Sequence, residues 1–182
     1  MNVVIAISGL HGSGKSTYAR SVANEFNLRH VSTGEFFRQI AMERQLTLTE
    51  FTREAEKKPA IDRFLDERIK TAIKKGNVVV DGLLAGWNAM GFTALKIYLS
   101  ASFQTRTNRI ATRDTISSIE AEKITTLREH SEKGRFKKLY GIKIDDLSIY
   151  DLVLNTGLLS QDHNMIMIKN FIKEYIVVYG GG

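Results

Sequence analysis

Val3-Val4-Ile5-Ala6-Ile7 is an unbroken apolar run of mostly β-branched residues. Such a run fits a strand buried on both faces of a parallel sheet, because a half-exposed strand alternates. Asn77-Val78-Val79-Val80-Asp81, Leu95-Lys96-Ile97-Tyr98-Leu99 and Asp151-Leu152-Val153-Leu154 look similar, and Arg29-His30-Val31-Ser32 is a weaker fifth. Between these runs the period changes. Ala19, Val22, Ala23 and Phe26 fall at i, i+3, i+4 and i+7 and predict a helix starting near Lys15. Ile61, Leu65, Ile69 and Ala72 predict a second, which Pro59 can open because a missing N–H is harmless in the first turn. Met165, Ile168, Ile172, Ile176 and Tyr179 predict a last helix ending at the Gly180–Gly182 tail. Strands alternating with helices argue an α/β fold with helices on both faces of a parallel sheet.

Two stretches fit this alternation poorly, Thr33–Lys75 and Phe103–Lys143. Both are helical by composition and longer than one crossover helix needs. The second has a thin apolar face, with Phe103 and Ile110 seven residues apart. They read as insertions over the top of the sheet, able to move against it.

At 182 residues, 43% of them apolar and 25% charged, the chain fits one globular domain with a sizeable core. With no cysteine there is no disulfide framework, thiolate zinc site or cysteine nucleophile. The four histidines, His11, His30, His130 and His163, never fall at metal-cage spacing. Val3–Ile7 is too short to span a bilayer and lacks the basic flank of a signal peptide, so the expected location is cytoplasmic. The net charge of +6 leaves nucleic acid, an anionic membrane and a small polyanion open as partners. Its distribution narrows them. Between Ala101 and Lys143 stand ten Lys/Arg against five Asp/Glu, a local excess of +5. No aromatic platform is interleaved with it, which weakens the nucleic-acid reading.

Gly9-Leu10-His11-Gly12-Ser13-Gly14-Lys15-Ser16 matches G-x-x-x-x-G-K-[ST] and lies between a predicted strand and a predicted helix. The glycines permit backbone shapes that aim successive N–H groups at one anion, and the helix N-terminus adds positive potential. Lys15 is expected on the β/γ-phosphates and Ser16 on magnesium. His11 is expected as an exposed side chain whose backbone N–H does the binding. Asp81, ending a buried strand before Gly82, is expected to assist the metal.

No NKxD-like run points to a GTPase switch. A kinase needs positive charge around the transferring group. Arg106, Arg109 and Arg113 stand at i, i+3 and i+7, one helix face that can close on a polyanion or simply face water. No carboxylate or histidine stands out beside the cradle as a base. That favours a phosphate acceptor, a dianion near neutral pH, over a hydroxyl. Ser32-Thr33-Gly34-Glu35-Phe36-Phe37-Arg38 can grip a second phosphate, or Ser32 or Thr33 can merely cap a helix.

These residues resemble the nucleoside monophosphate kinases, and most closely the archaeal-type cytidylate kinases. Gly9–Thr17 is similar to that family's ATP loop, and Ser32–Arg38 to its monophosphate-binding turn. Ile61-Asp62 through Leu65-Asp66 and Arg68 are similar to its next helix. More specific are Leu84-Ala85-Gly86-Trp87 after Asp81-Gly82, and Arg135–Ile142 followed by Asp145–Asp151. The resemblance implies a P-loop core of five parallel strands (1–32, 76–102, 144–182), a monophosphate-binding insertion (33–75) and a lid (103–143). It implies magnesium-dependent transfer of the ATP γ-phosphate to CMP or dCMP. Separately, a monomer is expected. ATP would lie on Gly9–Thr17, with Arg135 on its side. Asn155-Thr156 lies by the adenine, although a strand-end turn explains those two equally well. CMP would lie by Ser32, Thr33, Gly34, Arg38, Asp62, Asp81 and Gly82, its base near Asp66 and Arg68. Lys15, Arg106, Arg109 and Arg113 would act on the transferring group. Where the resemblance implies an arginine before Leu84, this chain has Leu83. Another small kinase, acting on UMP, AMP or a shikimate-like alcohol, and a non-catalytic ATP-binding adaptor are the alternatives.

Overall fold

The computed structural model describes residues 3–179, so the Gly180–Gly182 tail lies outside the described residues. All five predicted strands form, as β1 (Val4–Ser8), β2 (Arg29–Ser32), β3 (Val78–Asp81), β4 (Leu95–Ser100) and β5 (Leu152–Asn155). They pair in parallel in the order β2-β3-β1-β4-β5. The helices are α1 (Lys15–Glu25), α2 (Thr33–Glu43), α3 (Leu48–Lys57), α4 (Pro59–Lys75), α5 (Ala85–Asn88), α6 (Phe103–Asp114), α7 (Ser118–Tyr140) and α8 (Gln161–Tyr179).

Strand alternation splits the core in two. Ile5, Ile7, Val79, Ile97 and Leu99 meet Ala19 and Val22 of α1 and Ile168 and Ile172 of α8. Val4, Ala6, Val78 and Val80 face the other way, onto Ile69 and Ile73 of α4 and Ala85 of α5. Burying each such side chain contributes about 1.5–3 kcal/mol. β5 departs from the expected double burial. It is the sheet edge, its residues only half-covered, and Val153 is 47% exposed.

Register then sets the site. Ile7 pairs with Asp81, and Asp81 with Ser32, so the C-terminal ends of β1, β3 and β2 stand side by side beneath the loop that follows β1. This is where open parallel sheets bind ligands.

The two long segments fold as helices. In 33–75, α2, α3 and the first half of α4 enclose Phe37, Phe51, Ile61 and Leu65. The second half of α4 belongs to the sheet core, with Pro59 at its first position as its N–H deficit allows. A Thr47–Glu50 capping box starts α3. In 103–143, α6 and α7 form a pair. α7 buries Arg128, Glu132 and Arg135, while Ile119 in its first turn is 81% exposed. Part of this segment's charge, Arg106, Arg128, Glu132 and Arg135, therefore faces inward.

Candidate active site

The loop between β1 and α1 owes its shape to glycine. Gly12 has φ +78°, and a Cβ there would lie 2.4 Å from the Arg106 carbonyl oxygen. Gly14 caps α1 with φ +95° and no side-chain cap, leaving the first N–H groups of the helix for a ligand. Lys15 Nζ donates to Leu10 O at 2.9 Å. Burial pushes the Lys15 ammonium down to about 8, against the pull of Asp81 and Glu132. It is still mostly charged at pH 7.

Beside the loop, Ser16 Oγ donates to Asp81 Oδ1 at 2.9 Å. Asp81 is 1% exposed and also accepts from Ser32 Oγ at 3.2 Å. His30 Nε2 lies 2.6 Å from Asp81 Oδ2. Sequence reasoning missed His30. Its only signal was its place two residues before Ser32 on a strand that pairs with β3. Ser32 serves twice, since it also accepts the Glu35 N–H as the cap of α2. A hydroxyl and a carboxylate meeting at a phosphate loop are hard oxygen donors, a set that fits Mg²⁺.

From this corner one cleft of about 390 Å³ runs from Gly12–Thr17 to Asp62 and Asp66, past Thr33, Gly34, Arg38, Asp81 and Gly82. Arg113 and Arg128 also line it. Burial lowers the guanidinium pKa values of Arg38 and Arg128, and the nearby like charges add to this. Arg128 Nε is buried with no protein partner among the described residues. Arginines crowded in this way gain from an anion. At the far end Arg135 donates to both Asp62 oxygens, at 2.7 and 3.2 Å. Asp66 accepts from Asn88 Nδ2 at 2.8 Å and from the Tyr140 hydroxyl at 2.7 Å. Burial raises both carboxyls above the usual carboxylate range in spite of these donors.

Several expected residues stand elsewhere. His11 is not an exposed side chain. Its ring is 19% exposed, and Nε2 lies 2.7 Å from Glu132 Oε2 of α7. Burial, with Arg128, pushes it down to about 4, so it is neutral at pH 7. Burial opposes the Glu132 charge, but His11, Arg128 and Arg135 outweigh it and hold the carboxyl at about 2. Histidines and carboxylates do therefore stand beside the cradle, His11 with Glu132 and His30 with Asp81, each already engaged by a neighbour. Arg106 is not brought to the cleft. It is 4% exposed, ion-paired with Glu129 and bonded to His11 O at 2.8 Å. Arg109 reaches the cleft but spends its guanidinium on Thr156. Arg135 is paired with Asp62 rather than brought to the phosphate loop. Arg68 lies outside, exposed, its guanidinium 4.0 Å from the centre of the Phe36 ring. Asn155 is exposed and accepts the Gly157 N–H, the strand-end turn reading. Thr156 is fully buried beneath the loop. Leu83 lines the cleft and packs with Leu84, Phe136 and Ile144. Among the described residues no helix is long and apolar enough to cross a membrane.

The geometry agrees with what known proteins show. A family model described as "AAA domain" matches residues 8–135. The chain is 45% identical over 174 residues to a cytidylate kinase of Staphylothermus marinus, covering 96% of this chain and 98% of the relative. It is 44% identical to one of Pyrococcus horikoshii, over 92% and 86% of the two chains. The crystal structure of a shikimate kinase from Bacteroides thetaiotaomicron superposes with a TM-score of 0.64 at 14% identity, over 95% of this chain and 99% of that one. At that identity the likeness speaks for the fold alone. With a phosphate loop, a carboxylate beside it and a cleft reaching a second polar end, and at this identity over nearly its whole length, the chain belongs to the archaeal cytidylate kinase family, enzymes built on a P-loop core.

Proposed function

We propose that this protein transfers the γ-phosphate of ATP to CMP or dCMP, giving ADP and the diphosphate. The observation that carries this reading is a continuous cleft, with the phosphate loop at one end and Asp62 and Asp66 at the other. Two nucleotides placed end to end bring their phosphates together in its middle, where Arg38, Arg113 and Arg128 crowd.

The loop N–H groups and Lys15 bind the ATP phosphates and neutralise charge that builds between the β- and γ-phosphates. Ser16 and Asp81 would hold Mg²⁺, which supplies further positive charge to those oxygens when bound. His30 and Ser32 fix the Asp81 carboxylate. The acceptor phosphate is mostly a dianion at neutral pH and attacks without a base. That agrees with His11 and Glu132 being occupied by each other. Thr33, Gly34 and Arg38 grip this phosphate, and Asp62 and Asp66 offer acceptor oxygens to the amino group of cytosine. Arg113 and Arg128 stabilise the transferring group, and packing of α7 over the cleft keeps out water that would hydrolyse ATP. With Leu83 uncharged, Arg38, Arg113 and Arg128 supply the cationic side chains on the acceptor side of Lys15.

The test is ADP release across CMP, dCMP, UMP, AMP and shikimate. CMP and dCMP should exceed the others by about tenfold or more in kcat/KM, as expected where polar groups read the base. A flat profile, or turnover indifferent to acceptor, would sink this reading.

A further inference from the structure

The four successive carbonyls of the loop from Leu10 to Ser13 each accept a hydrogen bond from a side chain. Lys15 Nζ reaches Leu10 O at 2.9 Å, Arg106 Nη1 reaches His11 O at 2.8 Å, and Arg109 Nη1 lies 3.4 Å from Gly12 O. Thr156 Oγ1 lies 2.9 Å from Ser13 O and 3.0 Å from Ser100 O, sharing its proton between them. In a planar trans peptide the N–H points opposite to the C=O. Holding the His11 and Ser13 carbonyls on one side therefore aims the Gly12 and Gly14 N–H groups to the other. The donors are themselves anchored. Arg106 is paired with Glu129, and Arg109 grips Thr156 through Nη1 at 3.0 Å and Nη2 at 2.8 Å. The α6 backbone sits so close to the loop that Gly12 has no room for a side chain.

We infer that Arg106, Arg109 and Thr156 are positioning residues that hold the phosphate loop in its binding shape, and that the two arginines do not reach the transferring phosphoryl group. To swing onto that group, either guanidinium would have to release a loop carbonyl and leave it without its partner. α6 is thus a fixed bracket on the loop. Of the i, i+3, i+7 arginines only Arg113 makes no bond to the loop; it lines the cleft, paired with the Asp114 carboxylate through Nε and Nη2, each at 2.7 Å. The inference rests on the loop being the ATP site.

A positioning residue and a transition-state clamp differ in their kinetics. Losing a loop anchor weakens ATP and ADP alike, whereas losing a clamp lowers kcat and spares ADP. Arg109→Met and Thr156→Val are each expected to weaken ADP binding, read by calorimetry, by about tenfold, and to raise KM for ATP in proportion. At saturating ATP kcat should stay within about threefold of wild type and KM for CMP within about twofold. Thr156→Ser, which keeps the hydroxyl, should restore ADP affinity. Arg106→Met is made together with Glu129→Gln, so that no unpaired carboxylate is left behind, and should behave like Arg109→Met. A fall in kcat of about a hundredfold with ADP affinity unchanged would make these arginines clamps and overturn the inference. Wild-type protein that failed to bind ADP would overturn the ATP-site reading on which it stands.

Discussion

The two ends of the cleft are built on different principles. The ATP end is one contiguous stretch, Gly9–Ser16, whose shape comes from backbone that only glycine adopts easily and from its place between a strand and a helix. The acceptor end is assembled from α2, α4 and α7, with Asp62 and Arg135 meeting across 73 residues of sequence. There the shape depends on buried charges that need one another. A backbone cradle tolerates most changes to its own side chains other than its glycines, Lys15 and Ser16, provided that the side chains anchoring its carbonyls stay in place. A buried ion pair fails once one partner is removed, because desolvation is then uncompensated.

The largest expected effect follows at the acceptor end. Asp62→Ala strands the Arg135 guanidinium, 8% exposed, and should cost about 3–5 kcal/mol in urea unfolding. Asp62→Leu with Arg135→Met removes both charges and should recover most of that loss while abolishing CMP turnover. A single-variant cost below about 1 kcal/mol would mean that the pair does not hold α4 against α7.

His11 joins the two ends, and its effect should be intermediate. Its folded pKa of about 4 lies below the unfolded 6.5, so the folded state binds fewer protons between those values. Stability from this group is complete above about pH 6.5 and is lost as pH falls toward 4. Glu132, held down at about 2, acts in the same direction at lower pH, and the raised Asp62 and Asp66 carboxyls oppose it. Comparison with His11→Gln isolates the imidazole. Between pH 7.5 and 5 the wild type should lose about 2 kcal/mol more than the variant in unfolding free energy. Parallel stability curves would show that the ring is not buried neutral.

The smallest effect sharpens the boundary of the acceptor end. Arg68 shares α4 with Asp66 but lies over Phe36 and Phe64 on the outer side. Arg68→Ala should cost about 0.5–1 kcal/mol and leave KM for CMP within about twofold. A tenfold rise in that KM would return Arg68 to the substrate.

This asymmetry also explains how much could be read beforehand. The loop was legible because its chemistry is local. Gly12, Gly14, Lys15 and Ser16 act within a few residues of one another, between elements whose periodicity is plain. Asp81 was legible because a carboxylate ending a buried run has few other reasons to be there. Arg68 and Asp66, two residues apart on one helix, could not be sorted without knowing which face the neighbouring helices cover. Arg106, Arg109 and Arg113 share a helix face on paper. In the fold the first is buried against the loop, the second is tied to Thr156, and the third lines the cleft paired with Asp114. Glu132 carried no local signal and His30 only its place before Ser32, since each is defined by a partner 121 or 51 residues away.

The amino-acid sequence by itself determined the five parallel strands, the helices between them, the phosphate cradle and the family. Hydrophobic period and glycine placement act over a few residues, and they suffice for these features. Tertiary structure alone decided which charges face the cleft, which hold the loop and which are neutralised. Burial and pairing depend on contacts between segments far apart in the chain. The excess of +5 in 101–143 shows the division. Its location was plain in the sequence, but only packing turned Arg113 and Arg128 toward the cleft, Arg106 and Arg109 toward the loop, and Arg135 toward Asp62.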